Sequence, residues 1–351
     1  MPRSDRTRAS WLAGPLILAG GALLGLILLE LTTRQLYGRG GMQFGIEMWE
    51  YARLLKRVSS NPEMGHEHRP SAHAHLMGVD VEINGRGLRD RTFEIPKPHG
   101  ILRIMVLGDS MTFGWGVPVE ATYPKVLERW LNERRSPETG RTYEVVNTGV
   151  GNYNTAQQGA YFSSRGLEYQ PDLVILAFFV NDAEPTPHPN ASWLDQNSYL
   201  YVLARSAWDT LSRQRGWKPE YEAYYRDLYR EDAPGWLAWQ TAFAELVQLC
   251  GREGIEIVLV QVPELHDTSA DRPFVGIYER TAEVARGARV PVIDLHPGFE
   301  GMEPPSLWVS RGDAHPNVRA HRIMAKALLA DLGPVLTELE GEPSSQIDSG
   351  S

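Results

Sequence analysis

The chain has 351 residues, of which 42% are hydrophobic and 23% are charged. This composition is sufficient for one sizeable core and excludes a disordered or fibrous protein. The single cysteine, Cys250, excludes an intrachain disulfide and a cysteine-based zinc site. The net charge is −9, and the first ten residues hold three arginines and one aspartate, so the rest of the chain carries −11. Because an acidic body repels polyphosphate, nucleic acid is not expected as a partner.

The N-terminal segment 11–31 is predicted to be a transmembrane helix. Trp11 to Leu29 are 19 residues without a charge, which at about 1.5 Å per residue span a hydrocarbon core about 30 Å thick. The three arginines before it place residues 1–10 in the cytoplasm by the positive-inside rule, and the rest of the chain on the periplasmic or extracellular side. A cleaved signal peptide is the alternative. The segment from Glu30 to Arg34 disfavours it, because it lacks the small residues of a cleavage site.

Residues 32–100 show little periodicity and are predicted to form a stalk and a lead-in to the next domain. Arg89 and Asp90 are expected to pair and to tie this lead-in to that domain. Two His-x-His pairs offer an alternative metal site: His66 with His68, and His73 with His75. Alternating histidines on a loop are usually solvated, and no acidic or cysteine ligand set accompanies them apart from Glu67. No metal and no cofactor is therefore expected.

A regular alternation of apolar runs and helix-length segments occupies residues 101–335. Short apolar runs without internal polar alternation are typical of strands buried on both faces of a parallel sheet. The sequence therefore predicts a three-layer α/β/α sandwich, in which functional residues collect past the carboxyl ends of the strands. The five runs are Ile101–Leu107, Tyr143–Val146, Asp172–Val180, Ile255–Val262 and Val290–Leu295.

The segment 183–245 is longer than one crossover needs and is predicted to be an insertion. It is either a lid or substrate platform over the active site, or a set of helices with aromatic anchors. The tail 336–351 ends in small polar residues and is predicted to be disordered. The aromatic residues of the insertion include Trp193, Tyr199, Tyr201, Trp208, Trp217, Tyr221, Tyr224, Tyr225, Tyr229, Trp236 and Trp239.

Ser110 directly follows the first apolar run, within the segment Gly108 to Gly114. At the start of a helix, unpaired N–H groups and the positive end of the helix dipole favour a developing oxyanion. The flanking glycines permit a sharp turn and close approach of a substrate. Ser110 is therefore a candidate nucleophile, and the alternative is an ordinary helix N-cap.

Polar residues also follow the second and third runs and precede the last helical stretch. The second run leads into Asn147–Thr155 and the third into Asn181 and Asp182; asparagines here either cap loops or donate to a ligand. Farther along the chain, His315 is a candidate general base and Asp313 its orienting carboxylate. The alternative for this pair is a surface histidine beside a turn.

These four segments, in this order, resemble the SGNH hydrolases, also called the GDSL esterase and lipase family, over roughly residues 101–335. The resemblance implies a flavodoxin-like sheet of about five parallel strands and the hydrolysis of acyl esters. It also implies that Ser110 attacks the ester, that His315 takes the proton of Ser110, and that Asp313 orients His315.

The resemblance further implies an oxyanion hole. Its donors are the Ser110 backbone N–H, a backbone N–H from the second segment and the Asn181 side chain. Counting along the chain does not separate Gly151 from Asn152 as the second donor. Asp109 and Asp182 are expected to support the site by capping and by holding the loop after the third run.

The chain departs from the family pattern in further ways. Only Ala314 separates Asp313 from His315, whereas the family usually has two residues between its acid and base, so a backbone carbonyl is an alternative orienter. Phe179 replaces the glycine that usually precedes the Asn-Asp pair, and it is expected to narrow the site.

The leading hypothesis is a membrane-anchored serine esterase. It removes acyl groups, most plausibly O-acetyl groups, from an exported or envelope glycan through an acyl-Ser110 intermediate. One alternative is a polysaccharide O-acyltransferase that uses the same site; another is a noncatalytic carbohydrate-binding assembly protein. The joint presence of Ser110, Asn181, Asp313 and His315 argues against the noncatalytic alternative.

Overall fold

The computed structural model describes residues 6–37, 44–134, 141–187, 192–216 and 218–341. The chain divides into two compact units. We call the described residues of Met1–Glu50 and Asn190–Lys218 the anchor unit, and those of Tyr51–Pro189 and Pro219–Ser351 the sheet unit.

The described residues form helices and strands throughout the chain. The helices are α1 (Arg6–Tyr37), α2 (Phe44–Leu55), α3 (Ser110–Phe113), α4 (Tyr123–Arg134), α5 (Thr155–Ser164), α6 (Trp193–Asn197), α7 (Tyr199–Gln214), α8 (Tyr221–Leu228), α9 (Pro234–Glu253), α10 (Val275–Gly287), α11 (Val318–Asp331) and α12 (Gly333–Gly341). The strands are β1 (Lys56–Val58), β2 (His66–His68), β3 (His73–Leu76), β4 (Val79–Glu82), β5 (Ile101–Leu107), β6 (Thr142–Asn147), β7 (Leu173–Phe178), β8 (Glu256–Gln261), β9 (Val292–Asp294), β10 (Trp308–Ser310) and β11 (Asp313–Pro316).

The centre of the sheet unit is a sheet of five strands in the order β6-β5-β7-β8-β9, all parallel. Each predicted apolar run coincides with one of these strands, and β6 extends one residue beyond its run at each end. In β7 every residue is buried, as expected for an interior strand of a covered sheet. The predicted α/β fold with about five parallel strands is confirmed.

Helices flank this sheet in two groups. The chain moves from β5 through α4 to β6, then reverses direction through α5 to β7. Because crossovers between parallel strands are right-handed, this reversal places α4 and α5 on opposite faces. Later crossovers follow the direction of α5, and accordingly α9 packs with α5, whereas α11 packs with α4. The structure therefore has the predicted three layers, with the sheet between two layers of helices.

The prediction of a stalk and a lead-in over residues 32–100 needs a boundary, because the structure shows no stalk from residue 51 onward. Residues 51–100 belong to the sheet unit, where the hairpins β1–β2 and β3–β4 form. Met64, Leu88 and Phe93 are buried in the same core cluster as the central strands. These apolar residues are isolated between polar ones, so their burial depends on long-range packing that leaves no periodic pattern.

Arg89 and Asp90 tie this lead-in to the sheet unit, but they do not pair with each other. Arg89 is buried and donates to the carbonyl oxygens of Phe113 (3.0 Å), Gly114 (2.5 Å) and Val117 (2.6 Å). Asp90 accepts instead from Lys125 Nζ and the Asn147 N–H, both at 2.7 Å. The two side chains point in different directions. Arg89 therefore binds the segment after α3, whereas Asp90 binds α4 and the end of β6.

Replacement of Arg89 by methionine is expected to lower the free energy of unfolding by about 3 kcal/mol, since buried carbonyls lose a charged donor. Chemical unfolding in detergent micelles measures the loss. The matched control is Arg226→Met, because Arg226 is exposed and its ion pair among the described residues is with Glu222 on its own helix. Its expected effect is within about 0.5 kcal/mol. Equal losses in the two variants would contradict the structural role of Arg89.

In the anchor unit, α1 contains a segment that is long and apolar enough to cross a membrane, Gly14–Tyr37. The predicted span 11–31 lies within this helix, whereas residues 1–5 lie outside the described residues. A signal sequence near the N-terminus meets the same criteria of length and composition. Near the end of α1, Glu30 accepts from the N–H groups of Tyr199 (3.1 Å) and Leu200 (2.9 Å), so a carboxylate caps the N-terminus of α7.

The aromatic residues of 183–245 do not form one insertion. Those up to residue 216 lie in the anchor unit, and those from Tyr221 onward lie in the sheet unit. Trp236 and Trp239 are buried and stacked at 5.1 Å, and Tyr229 packs against Phe178 of the sheet. The packing interpretation therefore holds for these three. Trp217 lies outside the described residues.

The predicted disordered tail 336–351 begins too early. Helix α12 continues to Gly341, and Leu336 on it is buried in the core of the sheet unit. The helix persists because Val335, Leu336 and Leu339 pack against this core. Residues 342–351 lie outside the described residues.

Candidate active site

Ser110 lies at the first position of α3, immediately after the carboxyl end of β5. Asp109 caps this short helix, since its side chain accepts from the Met111 N–H at 2.8 Å. Gly108 is sterically required, because a Cβ atom there would lie 2.0 Å from Thr112 Oγ1 and 3.3 Å from the Ala177 Cβ. The chain therefore turns sharply enough to present Ser110 at the sheet edge, and Asp109, not Ser110, is the N-cap.

Ser110, His315 and Asp313 form one hydrogen-bonded chain. His315 Nε2 lies 2.9 Å from Ser110 Oγ, and His315 Nδ1 lies 2.6 Å from Asp313 Oδ1. Asp313 and His315 both lie on β11, where side chains two positions apart point to the same face. A single intervening residue is therefore compatible with an acid and base that meet side by side, and Asp313, not a backbone carbonyl, contacts the ring.

Trp115 completes the surroundings of this carboxylate. Its indole Nε1–H donates to Asp313 Oδ2 at 2.7 Å, while the His315 backbone N–H donates to Oδ1 at 3.1 Å. Burial alone would raise the pKa of Asp313, but the hydrogen bonds from His315 and Trp115 outweigh it and lower that pKa. Asp313 is therefore a carboxylate at neutral pH. Trp115 was not predicted from the sequence. The only sequence signal for it is its position between Gly114 and Gly116, close to the nucleophile.

The turn after β6 separates the two candidates for the second oxyanion donor. The Gly151 N–H donates to the Tyr51 hydroxyl at 2.9 Å, so it is already engaged. Among the described residues, nothing accepts from the Asn152 N–H. Asn152 has φ of +64°, the left-handed conformation that glycine adopts most easily. Of the two alternatives that the sequence leaves open, the Gly151 N–H is already engaged, and the Asn152 N–H is the available donor.

Asn181 lies next to the nucleophile turn. Its Nδ2 donates to Asp109 Oδ2 at 2.9 Å with one of its two hydrogens. Asp182 is buried and accepts from Thr155 Oγ1 at 2.8 Å, which holds the loop after β7 against α5. Burial raises the pKa of Asp109 and, together with the charge of Asp109, raises that of Asp182. Asp109 thus links Asn181 to the nucleophile turn, and Asp182 supports the loop from behind.

The four histidines of the lead-in occupy two different hairpins. His68 is buried between the Tyr51 hydroxyl (2.7 Å) and the Gly87 carbonyl oxygen (3.1 Å), and His66 lies beside Lys56 and Gly151. His73 and His75 are exposed and lie near Asp80. Among the described residues no group of three or more metal-ligating side chains converges. His66, His68 and His75 each have a hydrogen-bonding partner within the protein: Gly151, Tyr51 and Asp80, respectively.

The chain is similar to known proteins in sequence and in fold. Residues 106–323 match the GDSL-like lipase/acylhydrolase family. An arylesterase from Vibrio mimicus is 24% identical over 132 residues, which cover 38% of this chain and 64% of that protein. The chain thus spans slightly less than two thirds of that relative.

Solved structures are similar at lower identity. A variant of Axe2, an acetyl-xylooligosaccharide esterase from Geobacillus Stearmophilus, is 16% identical, covers 66% of this chain and 94% of its own, and has a TM-score of 0.45. The esterase EstA from Pseudoalteromonas is 12% identical, with coverage of 67% and 98% and a TM-score of 0.42. The family match itself extends over more than half of the chain and includes every strand-end segment described above. The chain belongs to the GDSL-like lipase/acylhydrolase family.

Proposed function

We propose that this protein is a serine ester hydrolase that removes O-acetyl groups from a glycan. The observation that carries the proposal is the continuous chain from Ser110 Oγ through His315 to Asp313, at 2.9 and 2.6 Å. A hydroxyl in contact with an imidazole, which is in turn held by a carboxylate, is the arrangement that activates a serine nucleophile.

The proposed reaction has two halves. Ser110 Oγ bonds to the acyl carbon while His315 Nε2 takes the hydroxyl proton; the ester C–O bond then breaks, and His315 returns that proton to the departing alcohol. In the second half, water attacks the acyl-Ser110 and gives a proton to His315. The acid then leaves, and Ser110 regains its proton.

Three donors are available for the negative oxygen that forms in each half. They are the backbone N–H of Ser110 at the start of α3, the backbone N–H of Asn152 and the second hydrogen of Asn181 Nδ2. Asp109 supports the arrangement because it binds the other hydrogen of the Asn181 amide. Donors held in place before the reaction stabilise the transition state without reorganisation.

A row of aromatic rings supports a glycan as the substrate. The ring of Tyr221 lies 5.8 Å from that of His266, which lies 5.3 Å from that of Trp308. Trp308 is on β10, which pairs with the strand that carries His315. Tyr221 and His266 are exposed, so apolar ring faces with polar edges are available beside the catalytic hairpin, as sugar binding needs.

The placement of the enzyme follows from its first helix. We propose that α1 remains as a membrane anchor, with the sheet unit on the exported side, because three arginines precede the apolar segment. Acetylated polysaccharides of the cell envelope or of secreted material are accessible there.

A comparison of two substrates tests the glycan proposal: 4-nitrophenyl acetate and an O-acetylated oligosaccharide, with full-length enzyme in detergent micelles. Tyr221→Ala is expected to lower kcat/KM for the oligosaccharide about tenfold more than for the small ester, the loss of about 1.4 kcal/mol of ring contact. The control is Trp193→Ala, an exposed aromatic of the anchor unit, which should leave the ratio unchanged.

Each outcome has a distinct meaning. An unchanged ratio in Tyr221→Ala would contradict the aromatic row as the sugar site. Acetyl groups that move to another sugar hydroxyl, with no acetate released, would replace hydrolysis by acyl transfer.

A further inference from the structure

One peptide bond of the turn after β6 carries both the Gly151 carbonyl and the Asn152 N–H. The N–H is the second oxyanion donor of the proposed function. The carbonyl oxygen points into the protein, where it accepts from Lys56 Nζ at 2.5 Å and lies 3.2 Å from His66 Nε2. Since a peptide unit is planar, groups that hold this carbonyl also set the direction of the N–H.

Lys56 is an unusual group at this position. Its side chain is buried, and among the described residues no carboxylate pairs with its ammonium group. Its contacts are the Gly151 carbonyl oxygen, His66 Nε2 at 3.1 Å and the face of the Tyr51 ring at 4.5 Å. An unpaired buried ammonium is costly, and burial lowers the pKa of Lys56 to about 7. Packing alone would favour an apolar side chain of the same length here.

The surrounding residues hold the same turn from its other side. Tyr51 accepts from the Gly151 N–H at 2.9 Å, and its hydroxyl lies 2.7 Å from His68 Nε2. A Cβ atom on Gly151 would lie 2.7 Å from the Tyr51 ring, so the turn is in close contact with it. These contacts stabilise the left-handed conformation of Asn152, which costs a residue with a side chain about 1 kcal/mol or more.

We propose that Lys56 is a positioning residue for the oxyanion hole: its ammonium group binds the Gly151 carbonyl and thereby orients and polarises the peptide whose N–H, on Asn152, stabilises the oxyanion. A hydrogen bond accepted by a peptide carbonyl strengthens the donor at the other end of the same peptide. A charged donor in a buried site has the largest effect of this kind. The proposal rests on the proposed esterase function and adds to it a group that never touches the substrate.

Lys56 is expected to stabilise the transition state and not the bound substrate. The ester carbonyl gains its negative charge only as Ser110 attacks, so a weaker Asn152 N–H affects kcat much more than KM. Removal of a whole oxyanion donor costs about 10²–10³ in kcat. Because loss of Lys56 weakens and misaligns the donor without removing it, Lys56→Met is expected to lower kcat about 10- to 100-fold and to leave KM within about twofold.

The test compares three variants with the wild-type full-length enzyme: Lys56→Met, Lys56→Gln and Lys97→Met. Glutamine keeps an N–H donor without the charge, so its kcat should lie between those of the wild type and the methionine variant. Lys97 is the matched control, since it is a partly buried lysine paired with Asp172 before β7, at the opposite edge of the sheet. Its replacement should leave kcat unchanged.

A second measurement separates positioning from general damage. A boronic acid that adds to Ser110 forms a tetrahedral adduct whose oxygen occupies the oxyanion hole. Its inhibition constant should rise in Lys56→Met by the same factor by which kcat/KM falls, whereas the KM for substrate stays constant. Circular dichroism and the unfolding midpoint identify any variant that fails to fold, in which case Lys56→Gln decides.

The outcomes distinguish a failure of the proposed role of Lys56 from a failure of the proposed esterase function. Unchanged kcat in Lys56→Met, or a loss matched by Lys97→Met, would overturn the role of Lys56 and leave the esterase intact. A rise in KM without a fall in kcat would also overturn it. Absence of ester turnover in the wild type would overturn the proposed function, and the role of Lys56 with it.

Discussion

Replacement of Ser110 by alanine is expected to reduce kcat on 4-nitrophenyl acetate by about a million-fold, which leaves only the residual catalysis that the oxyanion donors and substrate binding provide. Removal of the nucleophile from a serine triad costs this much because the remaining groups no longer share a covalent intermediate. His315 Nε2 would lose its 2.9 Å partner, and no other hydroxyl in the described residues contacts this ring nitrogen. Rates at equal concentrations of folded enzyme measure the effect.

A matched control comes from the same domain. Ser164→Ala removes the hydroxyl of an exposed serine on α5, whose partners among the described residues are its own helix and the Met64 sulfur. It should leave kcat unchanged. A fluorophosphonate should add covalently to the wild type and to Ser164→Ala, and not to Ser110→Ala. Turnover that survives in Ser110→Ala would remove this residue from the mechanism.

The strand-end residues were predictable from sequence because two local signals coincide there. A parallel sheet buries its strands on both faces, which gives continuous apolar runs such as Ile101–Leu107, and the chain must turn where such a run stops. Ser110, Asn181 and His315 stand at or beyond such turns, and their order along the chain carries the family resemblance. Topology then brings these distant segments to one edge.

The residues that support these groups were not predictable in the same way. Lys56, Arg89 and Trp115 act through contacts with backbone carbonyls or with one carboxylate, and such contacts leave no periodicity in the sequence. The segment with the first two has isolated apolar residues between charged ones, which is also the pattern of a solvated stalk. Asn152 is one of the two donors that the sequence leaves open, and only the hydrogen bond from the Gly151 N–H to Tyr51 separates them.

The second large effect is expected from a change at Asp313, which contacts His315 across a single intervening residue. Asp313→Asn is expected to lower kcat about 10⁴-fold, the loss known for the equivalent change in a serine protease triad. Three donors converge on this carboxylate: the indole N–H of Trp115 on Oδ2, and the ring Nδ1 and backbone N–H of His315 on Oδ1. A carboxylate accepts all of them, whereas an amide has only one accepting oxygen.

The single side-chain oxygen of the asparagine can therefore accept from Trp115 or from His315, but not from both. If its oxygen accepts from Trp115, its NH2 group faces His315 Nδ1 and stabilises the tautomer with the proton on Nε2. That tautomer cannot take a proton from Ser110. The variant should keep its fold and its KM, since the change preserves size and one hydrogen bond, and steady-state kinetics on the small ester measure the loss in kcat.

The double variant Trp115→Phe with Asp313→Asn makes this explanation testable. Without the indole N–H, the asparagine oxygen is free to accept from His315 Nδ1, so kcat should recover at least tenfold relative to Asp313→Asn alone. Trp115→Phe by itself removes one donor from a carboxylate that keeps two, so it should cost less than tenfold. If Asp313→Asn retains wild-type kcat, then Asp313 does not orient the catalytic histidine. If the double variant shows no recovery, the tautomer explanation fails even though the carboxylate is needed.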